Sequence, residues 1–177
     1  PLHAALPICY CREIILCFGT QLGKTESEMN MIGYAIDEAP APALVVYPTD
    51  ILGKSISKNR LEPAVLSSAS LAAKYHKTES ETLELQFTGM YLAIVGANSP
   101  SQLSSRPIKY LIVDEEGKFP LRAGHDSSPI LLAKERQKTF LDSKTVRSSS
   151  PTLKDSGIWP AFMEAEVQKR YFVPCPH

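Results

Sequence analysis

The segment GTQLGKTE, at residues 19–26, decides the fold, and it directly follows the apolar run EIILCF at residues 13–18. A strand, a glycine-containing turn and a helix in this order are typical of phosphate-binding loops, which read G-x-x-x-x-G-K-[ST]. The eight positions of that pattern fall on residues 18–25, where Phe18 replaces the first glycine. The segment is therefore either a phosphate-binding loop with an irregular beginning or a glycine turn followed by a solvated lysine.

The second half of the pattern retains the groups that the chemistry needs. Gly23 lets the backbone approach a phosphate closely, Lys24 reaches the terminal phosphates, and Thr25 offers a hydroxyl to magnesium at the start of a helix. A lone G-K-T often occurs by chance, so this segment alone favours the simple turn. A second motif is needed to decide.

That second motif is YLIVDEE at residues 110–116, an apolar run that ends in carboxylates. Acidic residues at a solvated strand end are common, but open α/β sheets also bind ligands at the carboxyl ends of their strands. There Asp114 is suited to hold magnesium through its water shell, and Glu115 to activate water for attack on the terminal phosphate. The two motifs together predict nucleotide hydrolysis.

Strand-like and helix-like patterns alternate along the chain. Continuous apolar runs predict strands buried on both faces, alternation predicts a half-exposed strand at residues 82–87, and a last strand is expected at residues 144–152. The buried strands are expected at residues 12–18, 43–49, 91–97 and 109–115, and the helices at residues 24–42, 50–75 with a break at Pro63, 128–142 and 157–170. This order predicts an α/β fold with a mostly parallel sheet and helices on both faces.

Composition limits the function without naming it. The chain has 177 residues, 44% of them hydrophobic, and 19 basic residues balance 19 acidic ones, so no overall charge attracts it to nucleic acid or membranes. Three of the four cysteines lie near one end, which is not the spacing of a disulfide scaffold, and no apolar run is long enough for a membrane span. We expect a soluble, intracellular domain over residues 9–177, preceded at residues 1–8 by a leader that is either not native to it or disordered.

These motifs resemble the large subunit of tailed-phage terminases, specifically the lambda-like GpA packaging ATPases. The resemblance runs from Arg12 to His177, and its most specific stretch is GANSPSQLSSRP followed by the acidic strand end. Further matching segments are GTQLGKTE, YPT, SKNRLEP, SSSPT and RYFVPCPH. Members of this family lack the first glycine of the loop, which accounts for Phe18.

The resemblance implies a RecA-like P-loop ATPase that uses ATP and Mg²⁺ to move double-stranded viral DNA into a procapsid. It implies as partners the terminase small subunit, the portal protein and further copies of the chain, in the host cytoplasm and without a membrane. By motif position, the Walker A loop is Gln21, Gly23, Lys24 and Thr25, and Walker B is Asp114 and Glu115. SSSPT matches the motif that couples hydrolysis to movement through Ser149, Ser150 and Thr152, although an ordinary Ser-Pro strand exit has the same sequence.

Several basic residues have two interpretations. Arg106 is placed to bind DNA phosphate or a nucleotide across a subunit interface, and equally to cap local carbonyls. Arg136 invites the same interpretation, although an exposed helical charge is favoured. The segment SKNR, at residues 57–60, suits either DNA phosphates or a solvated helix face.

Departures from the family pattern give further expectations. Glu116 and Gly117 follow the acidic pair where a stricter acidic or aromatic turn is expected, so the rim of the site is expected to differ. We expect this chain to be truncated at both ends, without the upstream segment that stacks on adenine in the family and without the nuclease domain, and therefore not to cut DNA. Cys175 and His177 are two ligands where a tetrahedral zinc site needs four, so nucleotide-bound magnesium is the only metal expected.

Two alternatives remain open at this point. A helicase-type DNA translocase shares the same ATPase core, although it is expected to show a second RecA-like half. The truncated chain is alternatively a catalytically incompetent module for assembly or docking with the portal and small-subunit partners. Nucleotide binding and turnover distinguish the last alternative from the motor.

Overall fold

A six-stranded sheet with the order β1-β6-β5-β2-β4-β3 forms the centre of the molecule in a computed structural model, which describes residues 11–155, 157–170 and 172. Neighbouring strands are parallel, except for the antiparallel pair of β3 and β4 at one edge. The strands are β1 (Glu13–Cys17), β2 (Ala43–Tyr47), β3 (Glu84–Phe87), β4 (Met90–Gly96), β5 (Tyr110–Asp114) and β6 (Lys144–Ser149). The mostly parallel sheet is thus confirmed, while the leader at residues 1–8, Cys175 and His177 lie outside the described residues.

Helices and apolar clusters lie on both faces of this sheet. The helices are α1 (Lys24–Glu38), α2 (Asp50–Ile56), α3 (Glu62–Ser67), α4 (Ala69–Lys74), α5 (Pro100–Leu103), α6 (Pro129–Glu135) and α7 (Ile158–Glu164). One cluster contains Ile36 of α1 and Leu92 of β4, and the other contains Leu103 and Leu111. None of the helices in the described ranges is long and apolar enough to cross a membrane.

The helical segment that follows β2 is divided into pieces, but the predicted break at Pro63 is wrong. Pro63 lies in the first turn of α3, where its missing N–H is tolerated. The division comes earlier, in a π-helical turn over Ser57–Leu61, where the Glu62 N–H donates to the Ser57 carbonyl. A wider turn just before proline relieves the clash of its ring with the preceding turn. A second break follows at Ser68, whose backbone is extended.

Helices α6 and α7 are shorter than predicted, because they end at Glu135 and Glu164. After α6 the chain leaves the helical conformation, and the buried Gln137 side chain forms hydrogen bonds with two strands of the sheet. Its Nε2 donates to the carbonyls of Lys109, 3.1 Å away, and Lys144, 2.9 Å away, at the beginnings of β5 and β6. The chain therefore leaves the helix where this amide can link the two strands.

The buried centre of the sheet gives a first prediction. Leu92→Ala should lower the free energy of unfolding by about 2–5 kcal/mol, because the side chain is fully buried and its removal leaves a cavity. Leu121→Ala, the same change at a residue that is 92% exposed, should stay within about 0.5 kcal/mol of the wild type. Urea unfolding measures both, and equal losses would contradict this description of the core.

Candidate nucleotide site

The loop between β1 and α1 has the backbone that its sequence predicts. Gly23 adopts a left-handed conformation, with φ of 84°, and Gln21 does so with φ of 58°. Glycine accepts such a φ without the steric cost that a Cβ brings, so Gly23 lets the chain turn directly into α1. The loop itself is exposed at the end of the sheet, whereas Lys24 at the helix start is only 8% exposed.

Lys24 folds back across this loop. Its Nζ donates to the Gly19 carbonyl and to Ser150 Oγ, both 3.0 Å away. Ser150 directly follows β6, so the ammonium group connects the loop to the end of a second strand. Both partners are neutral, so they leave the positive charge of the lysine available to an anion.

Asp114, the last residue of β5, is 2% exposed and receives two hydroxyls. Thr25 Oγ1 lies 3.4 Å from its Oδ2, and Ser148 Oγ donates to its Oδ1 at 3.0 Å. Burial raises the pKa of Asp114 despite the opposing hydrogen bond from Ser148. The structure therefore brings together the hydroxyl and the carboxylate that the sequence assigns to magnesium.

This donor set fits Mg²⁺ in chemistry, because hydroxyl and carboxylate oxygens are hard ligands. The described residues bring no three His, Cys, Asp or Glu side chains together in a metal-binding group. Mg²⁺ typically keeps several waters and binds through one or two carboxylates plus substrate phosphates. Thr25 and Asp114 therefore suit a cation that arrives with a nucleotide rather than one held by the protein alone.

Glu115 follows β5 in an unusual conformation. Its backbone is left-handed, with φ of 57° and ψ of 41°, and its carboxylate pairs with the Lys118 ammonium. The side chain remains about one-third exposed, at 34%. Glu115 is thus adjacent to Asp114 in sequence, but its carboxylate is partly exposed and paired with Lys118, whereas that of Asp114 is buried.

The three serines at the end of β6 each have a different partner. Ser148 binds Asp114, Ser150 binds Lys24, and the buried Ser149 accepts the Gly117 N–H at 3.1 Å. Of the residues predicted to sense the terminal phosphate, Ser150 therefore faces the loop lysine, while Ser149 supports the turn after β5. Thr152 is exposed.

Two features of the site escaped sequence reasoning. Glu28 lies on α1 one turn after the loop, is 1% exposed, and neither carboxylate oxygen has a hydrogen-bond partner within the described structure. Burial, followed by the negative charge of Asp114, raises the pKa of Glu28 to about 9. The helical spacing of the buried residues Lys24, Glu28, Met31 and Ile32 was the available signal.

The second missed feature is a buried ion pair between Arg147 of β6 and Glu116. Arg147 Nε lies 2.7 Å from Glu116 Oε2, and Nη2 lies 2.5 Å from Oε1. No local sequence pattern predicts this pair, since the two residues are 31 positions apart. The Glu116 carboxylate is thus held inside the protein, and a difference of the rim from the family pattern stays a prediction.

The arginine with two interpretations at residue 106 has intramolecular partners. Arg106 Nη1 donates to Glu84 Oε1 at 3.1 Å, and the guanidinium lies 4.5 Å from the Tyr91 ring centroid. These residues are on β3 and β4, at the edge of the sheet opposite β1. The structure thus keeps Arg106 away from this chain's own Lys24, and an action on a neighbouring subunit stays a prediction.

The other basic residues also contact the domain. Arg60 pairs with Glu26 of α1, so part of the SKNR segment is tied to the helix that follows the loop. The expectation of an exposed helical charge at Arg136 is wrong. Arg136 is half-buried just beyond α6, and its Nη1 donates to the Ser104 carbonyl at 3.5 Å.

Comparison with known proteins identifies the family of the chain. Residues 5–177 match the family described as phage terminase large subunit gpA, ATPase domain. The chain is 25% identical to the terminase large subunit of Enterobacteria phage P21 over 173 residues, which cover 94% of this chain and 27% of that protein. The chain thus spans about a quarter of the length of this relative.

Solved structures show the same fold. The large terminase of a thermophilic bacteriophage matches with a TM-score of 0.68 at 15% identity, over 92% of this chain and 40% of that one. The complex of that same phage terminase with ADP matches with a TM-score of 0.63 at 15% identity, over 92% of this chain and 39% of that one. The architecture is the RecA-like P-loop fold of terminase ATPase domains, as predicted.

The buried Glu28 gives a prediction about pH dependence. Between its ordinary pKa of 4.5 and about 9, the unfolded chain has lost this proton while the folded chain keeps it. Stability should therefore fall as pH rises through this window, by up to about 1.4 kcal/mol per pH unit. Glu28→Gln should remove the contribution of Glu28 and so make this slope shallower, in urea unfolding with EDTA and without nucleotide. Glu38→Gln, at the exposed end of the same helix, should retain it, and parallel profiles for wild type and Glu28→Gln would contradict the prediction.

Proposed function

Because the chain belongs to the family of phage terminase large-subunit ATPase domains, we propose that it binds ATP with Mg²⁺ and hydrolyses it to drive double-stranded DNA into a procapsid. The observation that supports this most is the convergence of two motifs. Lys24 reaches Ser150 at the end of β6, and Thr25 reaches Asp114 at the end of β5. Three adjacent strands, β1, β6 and β5, thus end around one exposed loop.

In this proposal the loop binds the nucleotide phosphates. Backbone N–H groups around Gly23 face the phosphates, as is usual at a helix N-terminus, and Gln21 completes the loop. Lys24 exchanges the neutral Gly19 and Ser150 oxygens for phosphate oxygens, which a cation binds more strongly. The thermophilic phage terminase, which has this fold, was solved as a complex with ADP, and this supports the proposal that the chain binds a nucleotide.

The acidic end of β5 prepares the attack. Thr25 and Asp114 hold Mg²⁺, which when bound neutralises charge on the phosphate oxygens. Glu115 orients a water molecule and accepts its proton as the general base. The Glu115 carboxylate is solvent-accessible and its present partner, Lys118, is itself exposed, so water reaches this group.

In this proposal the residues at the end of β6 couple ATP hydrolysis to movement. The Ser150 hydroxyl forms hydrogen bonds with groups around the terminal phosphate. These hydrogen bonds of Ser150 change when that phosphate leaves. Ser149 joins the same strand end to the turn after β5, and Thr152 extends the motif into the exposed segment that follows. Loss of one phosphate therefore alters contacts at the end of a strand rather than at a flexible loop.

The proposed partners are those of a packaging motor: double-stranded DNA, the terminase small subunit, the portal protein and further copies of the chain, in the host cytoplasm. Arg106 is proposed to act on DNA or on a neighbouring subunit's nucleotide only if it leaves Glu84. The family match favours packaging over a helicase-type translocase. The docking-module alternative predicts nucleotide binding without turnover, or no binding at all.

Hydrolysis by the purified chain tests the proposal. Magnesium-dependent ATP hydrolysis, measured with and without double-stranded DNA, should fall at least about 100-fold in Lys24→Ala and Glu115→Gln, because each removes a group that acts on the phosphates or the water. The exposed charge-matched variants Lys54→Ala and Glu38→Gln should stay near wild type. Binding without turnover in the wild type would favour the docking module, and no binding would contradict the site.

A separate prediction concerns the cation. Asp114→Asn should reduce the factor by which Mg²⁺ strengthens ATP binding, because the amide is a weaker ligand for a hard cation than the carboxylate. Isothermal titration with ATP in Mg²⁺ and in EDTA measures this factor. Asp142→Asn, an exposed carboxylate remote from the loop, serves as the control. An unchanged factor in Asp114→Asn would remove Asp114 from the proposed magnesium site.

A further inference from the structure

The Arg147–Glu116 pair lies inside the protein beside the proposed catalytic turn. The Glu116 side chain is 4% exposed and the Arg147 side chain 15% exposed. The guanidinium binds both oxygens of one carboxylate, through Nε and Nη2. Such two-point contacts fix orientation as well as distance, and Glu116 directly follows Glu115.

A second carboxylate holds Arg147 from the other side. Arg147 Nη1 lies 3.2 Å from Glu13 Oε1 on β1, and Lys134 Nζ of α6 lies 2.7 Å from the same oxygen. The arginine therefore connects β1, β6 and the turn after β5. A mostly buried charge with two such partners has little freedom to change its rotamer, so it can serve as a fixed anchor.

The turn that Arg147 holds contains the unusual backbone of Glu115. A left-handed conformation is rare for a residue with a Cβ and persists only where the surroundings impose it. The contacts that impose it here come largely from β6. Glu116 binds Arg147, and the Gly117 N–H donates to Ser149 Oγ at 3.1 Å. The Lys118 N–H closes the turn on the Glu115 carbonyl at 2.8 Å.

Side chains on the two faces of β6 contact two different parts of the site. Successive side chains of a strand point to opposite faces. Arg147 and Ser149 serve the turn after β5, whereas Ser148 and the following Ser150 contact Asp114 and Lys24. One face of the strand end thus serves the phosphate and cation ligands, and the other serves the residue proposed to act on water.

We propose that Arg147 and Glu116 are positioning residues for ATP hydrolysis, which hold Glu115 in the orientation that water activation requires. The inference rests on the proposed role of Glu115 as the general base. Neither residue touches substrate in this account, because both act through the turn. Their loss should therefore slow the chemical step and leave nucleotide binding nearly unchanged.

The test compares kcat with nucleotide affinity in three variants of the whole chain, assayed with Mg-ATP and double-stranded DNA. Glu116→Gln and Arg147→Met should lower kcat at least about tenfold, because small misplacements of catalytic groups are costly. Their Kd for Mg-ATP should change less than about twofold, because neither residue contacts the nucleotide in this proposal. Arg147→Lys keeps the charge without the planar fork and should recover part of the lost rate. Asp37→Asn, which breaks an ion pair between α1 and α4, controls for loss of any ion pair.

The outcomes separate this inference from the function on which it rests. If Glu115→Gln is inactive while Glu116→Gln keeps the wild-type kcat, the positioning role is wrong and the proposed function stands. If Kd weakens as much as kcat falls, or Arg147→Lys recovers nothing, the pair is merely structural and the inference is overturned. If Glu115→Gln hydrolyses ATP at the wild-type rate, the proposed function fails and this inference with it. Should Arg147→Met not fold, the milder Glu116→Gln variant decides.

Discussion

Strand β6 pairs in parallel with β1 on one side and with β5 on the other, and the site depends on this register. Ser149 lies opposite Cys17, the last residue of β1, while Ser148 lies opposite Asp114, the last residue of β5. The backbone hydrogen bonds of one strand therefore set the distance between the loop that follows β1 and the acidic end of β5. Neither motif alone forms a site, because each supplies only part of the charge and ligand set.

This arrangement places polar and charged groups in the interior, and residues of β6 form hydrogen bonds or ion pairs with them. Buried hydroxyls and charges are costly unless they are paired. Ser148 has Asp114, Ser149 has the Gly117 N–H, and Arg147 has Glu116. Apolar residues at these positions would suit a buried strand in general, but they would remove the guanidinium that holds Glu116 and one of the two hydroxyls that hold Asp114.

The sequence pattern predicted the structure correctly where neighbouring residues alone determine it. The apolar strands, the Gly23 turn and the carboxylate at Asp114 follow from short stretches whose periodicity or backbone needs are visible in the sequence. The π-helical turn before Pro63 was not visible, because proline in a first helical turn and proline at a break look alike in sequence. The partner of Glu116 was hidden for another reason, since it depends on the register of β6. The environment of Glu28 likewise depends on tertiary packing, which buries it within reach of the Asp114 charge.

The most direct test of the central claim is a crystal structure of the chain with Mg²⁺ and a non-hydrolysable ATP analogue. The account predicts that the phosphates occupy the loop before α1, with the Lys24 ammonium on a phosphate oxygen and the cation between Thr25 and Asp114. The end of β6 should meet the terminal phosphate through Ser150. An analogue bound elsewhere, or a cation that contacts neither Thr25 nor Asp114, would contradict the claim that these three strand ends form one nucleotide site.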